Sequence, residues 1–81
     1  MPSKNKPADT PFVNVLVTIE EIYHRRWDDI VAELREAGLK VEEVHRLSGV
    51  IAGSVARDQF GKLQAVEGVA SVENEPIYHA N

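Results

Sequence analysis

The chain has 81 residues, enough for one domain that buries only about 60% of the surface its unfolded form exposes, which excludes a barrel enzyme or a two-domain clamp. Apolar residues at 43% and charged residues at 27% are the balance of a globular protein, unlike a disordered tail or a membrane span. Nine Lys and Arg against thirteen Asp and Glu leave a net charge of −4, which disfavours nucleic acid and anionic lipid, and the lack of cysteine removes disulfides, thiolate catalysis, zinc knuckles and iron–sulfur ligation.

Residues 1–11 carry Pro2, Pro7 and Pro11 and no apolar run, so they read as a flexible leader without a signal peptide, and the expected location is cytoplasmic. The domain is expected over residues 12–75. Phe12 to Ile19 alternates, with Val13, Val15, Val17 and Ile19 on one face and Asn14, Leu16 and Thr18 on the other, which predicts a strand. Ile22, Tyr23, Trp27, Ile30, Val31 and Leu34 recur at helical spacing and predict an amphipathic helix that ends at Gly38. Thr18 with Glu21 forms one candidate capping box and Asp28 another candidate cap, and the start is placed between Glu21 and His24.

Leu39 to Leu47 reads as a second, more polar strand, joined by a Ser48-Gly49 turn to a third strand of small and branched residues, Val50 to Ala56. Asp58 is the expected N-cap of a short helix bearing Phe60, Leu63 and Val66, which Gly68 stops. Val69 to Glu73 is the fourth strand, and Pro76 ends its ladder. The order βαββαβ predicts a ferredoxin-like α+β sandwich: a four-stranded antiparallel sheet with two helices on one face and the other face open. Many unrelated functions use this plan, so function must come from the residues.

An RNA-binding module of this topology stacks bases on aromatic side chains of its central strands, where this chain has Val50, Ala52 and Ser54. His24, His45 and His79 lack metal-ligand spacing on one element and read as scattered surface residues; no metal or other cofactor is expected. Ser48 and Ser54 lack a Gly-x-Ser-x-Gly elbow, and Lys40 and Lys62 fall at a strand start and on a helix, away from any deep pocket. Arg25 and Arg26 come without a glycine-rich phosphate loop and read as a solvated pair. No nucleophile and base are brought together, so an enzyme is not expected.

Residues 76–81 follow an acidic strand end and combine Ile77 and Tyr78 with small and polar residues behind a rigid Pro76, a composition suited to lying extended in a groove. Phe12-Val-Asn-Val-Leu-Val, Gly38-Leu-Lys-Val, the hairpin, and Leu63-x-x-Val66-x-Gly68-Val69-Ala-Ser-Val72-Glu73-Asn-Glu75, taken in order, resemble the subtilisin propeptides and the free-standing protease inhibitors built on them. The likeness covers residues 12–81.

The resemblance implies a separately made inhibitor or folding chaperone of an intracellular subtilisin-like serine protease. The open sheet face, with Phe12 and Leu16 as candidates, would pack on two protease helices, and Glu73 and Glu75 would cap their N-termini. The tail would enter the active-site cleft as a product, with Asn81 in the primary pocket, Ala80 and His79 before it, and Tyr78 in a large apolar pocket. The alternative is a small regulatory or ligand-binding module that acts as a homo-oligomer; its usual glycine in the first strand-to-helix connection is replaced here by Glu20-Glu-Ile-Tyr-His-Arg-Arg.

Overall fold

A computed structural model describes residues 11–74. Strand β1 (Phe12–Ile19) is followed by a 3₁₀ segment (Glu21–Arg26) that runs into helix α1 (Trp27–Glu36). The hairpin of β2 (Lys40–His45) and β3 (Val50–Ala56) comes next, then a 3₁₀ turn (Arg57–Gln59), helix α2 (Phe60–Gln64) and β4 (Val69–Asn74). The strands form one antiparallel sheet in the order β2-β3-β1-β4. This is the ferredoxin-like α+β arrangement expected from the element order.

The alternation of β1 decides the layering. Val15, Val17 and Ile19 are buried, and their register partners Ile51 and Val72 bring the core sides of β3 and β4 beneath the same helices. Trp27, Ile30 and Leu34 form one stripe of α1 and close this core with Leu39, Val55 and Leu63. In antiparallel pairs, directly opposite residues share a face. Phe12, Asn14, Leu16 and Thr18 therefore lie on the other side of the sheet with Ala56, Ser54, Ala52 and Val50.

The end of α1 follows from Gly38. At φ 111° it occupies the left-handed region, its N–H donates to the Arg35 carbonyl (3.0 Å), and the Leu39 N–H donates to the Leu34 carbonyl (2.9 Å). These two bonds are those of a Schellman cap, and the buried Leu34 and Leu39 supply the apolar contact that accompanies it.

The start of the helix differs from the sequence expectation. Helical structure begins at Glu21, within the expected range, but as 3₁₀; the α-helix proper starts at Trp27. Neither expected cap is used. Thr18 is held inside β1 between Val50 and Ser71, and the segment's first residue follows the extended Glu20 with no side-chain cap bond. Asp28 lies in the first turn of α1, where with Asp29 it faces the positive end of the helix dipole. Ile22, assigned to the apolar stripe, is 81% exposed. At three residues per turn it shares a side with the exposed Arg25, while Tyr23 turns toward the core.

Two further boundaries move for local reasons. The β2–β3 connection is a four-residue turn, Arg46 to Gly49, instead of Ser48-Gly49 alone, closed by the Gly49 N–H to the His45 carbonyl (2.9 Å), with Gly49 at φ 74°. Leu47 consequently stands at the tip, fully exposed, and is not a strand residue. Asp58 does not cap α2: it lies within the 3₁₀ turn, Gln59 precedes the helix, and neither helical start has a side-chain cap bond.

Candidate functional site

Both helices cover one side of the sheet, and among the described residues nothing covers the other. The register orders this open face into rows across the strands. One row reads His45, Val50, Thr18, Ser71, and the next reads Glu43, Ala52, Leu16, Glu73. A third holds Lys40, Ser54 and Asn14, and the last pairs Ala56 with Phe12. Strand β3 contributes only small side chains apart from Val50, so the middle of the face is shallow. Leu16 stands beside Ala52 and is half-buried by its neighbours, whereas Phe12 at the margin is 60% exposed.

Of the residues singled out in the sequence, Phe12, Leu16 and Glu73 share this face. Glu73 lies directly opposite Leu16 on the edge strand β4, and its side chain is exposed. Glu75 and the tail residues Tyr78, His79, Ala80 and Asn81 lie outside the described residues, as does the leader over residues 1–10. Strand β4 ends at Asn74, which pairs with Val15, and runs toward the end of the sheet where Phe12 lies.

The alternation in β2 concealed two residues of the same face. Counting by twos from Lys40 selects Glu42 and Val44, but a bulge between Val41 and Glu43 makes Glu42 an extra residue. Glu43 and His45 then share the open face with Lys40, and Val44 turns to the helix side opposite Ile51. His45 and Glu43 are joined through Nε2 and Oε1 at 3.1 Å. Both are exposed, so this contact contributes at most about 1 kcal/mol. Glu43 and Glu73 thus bracket one row from opposite edges of the sheet, about 14 Å apart across three strand spacings.

At the opposite end of the sheet, a second group of polar side chains serves the architecture. His24, expected on the surface, is half-buried: its Nε2 lies 3.2 Å from the Ile19 carbonyl oxygen, and its ring stands edge-on to Trp27 at 5.7 Å. The Arg46 guanidinium lies 5.7 Å from the Trp27 ring centre and ties the β2–β3 turn to α1. The His24 ring occupies the space that a Cβ on Gly49 would need. The Tyr23 hydroxyl donates to the Glu67 carboxylate (2.8 Å), and that bond with the nearby negative charge raises the phenol pKa above its ordinary value.

The remaining candidates take structural positions. Ser48 is in the exposed turn and Ser54 is buried within β3, while Lys40 and Lys62 are solvent-exposed. Arg25 is exposed, and Arg26 lies 3.7 Å from Asp29 in an exposed pair. Among the described residues no three His, Asp or Glu side chains are grouped to hold a metal ion, and no helix is long and apolar enough to cross a membrane. The chain matches no protein-family model, and no curated protein or solved structure is significantly similar to it.

Proposed function

We propose that this chain inhibits a subtilisin-like serine protease, or assists its folding, by docking its open sheet face on the enzyme and placing its C-terminal tail in the substrate cleft as a product. The observation that carries the reading is the direct pairing of Glu73 with Leu16: an exposed carboxylate stands at the edge of a partly apolar sheet face that no described element covers, one residue before β4 ends.

The physics of such docking is specific. A carboxylate presented to a protein helix N-terminus accepts its unpaired N–H groups and meets the positive end of its dipole, contributing about 0.3–2 kcal/mol. Glu75 is assigned the same role. The shallow strip along β3 lets a partner helix approach the sheet backbone, with Leu16 and Phe12 as the apolar contacts. The tail adds a strand to the cleft, where main-chain hydrogen bonds supply affinity and the pockets for Tyr78 and Asn81, with Ala80 and His79 between them, supply selectivity. This mechanism asks for no catalytic residue or cofactor in the inhibitor itself.

The test is peptide hydrolysis by a subtilisin-type protease, followed over time with the intact chain and with a chain lacking Tyr78 to Asn81. Inhibition by the intact chain that disappears on truncation is the expected result. Equal inhibition by both chains would remove the product-like tail, and no inhibition by either at micromolar concentration would overturn the reading for that protease. In the last case, solution mass distinguishes the alternative: a self-associating regulatory module would bury the same Leu16 and Phe12 face against a second copy.

A further inference from the structure

We draw no further inference here: the strongest candidate, the exposed apolar side chains of Ile22 on the 3₁₀ segment and Leu47 at the tip of the β2–β3 turn, carries nothing because nothing in the structure shows what covers either of them.

Discussion

Two glycines show how far one methyl group matters when its surroundings differ. A Cβ at Gly53, in the centre of β3, would overlap the backbone carbonyl of Lys40 on β2, an atom that can move only by opening the hairpin ladder. Gly53→Ala is therefore expected to destabilise the fold by about 1–3 kcal/mol in urea unfolding. Gly61 lies within α2, and a Cβ there meets nothing within 4 Å. Gly61→Ala is expected to stabilise by about 0.5–1 kcal/mol, through lower unfolded-state entropy and better helix propensity. A shared sign for the two substitutions would contradict the close approach of β2 to β3.

Tyr23 makes a prediction in pH. Its hydroxyl donates to Glu67, so deprotonation breaks the bond and sets two negative charges against each other, which is why the folded-state pKa lies above the ordinary value of 10.0. The linkage follows from that direction: the contribution is complete below the unfolded-state value and is lost as pH rises through the raised folded-state value. The chain has two tyrosines, so the phenolate absorbance difference between the parent and Tyr23→Phe isolates this titration. Its midpoint is expected above 10, and the loss of stability in alkali should be smaller in Tyr23→Phe.

At the scale of elements, helix ends and strand edges behaved differently from strand centres. The α1 terminus was legible because Gly38 meets a backbone requirement, the left-handed conformation, that few residues satisfy without strain. Gly38→Ala should cost about 1–2 kcal/mol, read as a lower thermal or urea midpoint, since an alanine held there keeps its Cβ against the carbonyl. The start of α1 was not legible, because Thr18, Glu21 and Asp28 all fit cap patterns locally. Pairing of Thr18 with both neighbouring strands and the 3₁₀ course of Glu21–Arg26 removed those choices. The β2 bulge had a larger consequence: one extra residue exchanged Glu42 and Val44 for Glu43 and His45 on the candidate docking face. No residue type in Val41-Glu-Glu-Val44 marks a bulge, whereas strand pairing sets it directly.

For the molecule as a whole, the proposed function separates stability from inhibition. The described core closes within residues 11–74, with Leu34, Ile51, Leu63, Val15, Val17 and Val55 fully buried between the sheet and the helices. Glu73 makes no contribution to that core. Glu73→Ala should change urea stability by less than about 0.5 kcal/mol, as expected for a surface substitution. The same substitution should weaken protease inhibition roughly twofold to thirtyfold, corresponding to one lost helix-capping carboxylate. Matching losses in stability and inhibition would assign Glu73 to folding. An unchanged inhibition constant would remove the capping contact from the docking mechanism.

By itself the sequence determined the element order, the buried side of β1, the stripe of Trp27, Ile30 and Leu34, and the stop at Gly38, whereas α2 ends at Gln64, short of the expected Gly68. Each of these follows from local periodicity or from a backbone conformation that one residue type adopts easily. Only the tertiary structure decided which side chains stand together across strands: Leu16 against Glu73, Glu43 in the same row, and Arg46 and His24 around Trp27. Register, bulges and the meeting of separate segments depend on contacts between residues far apart in the chain. Local pattern cannot specify them, because a shift of one residue in pairing exchanges every side chain between the two faces of a sheet.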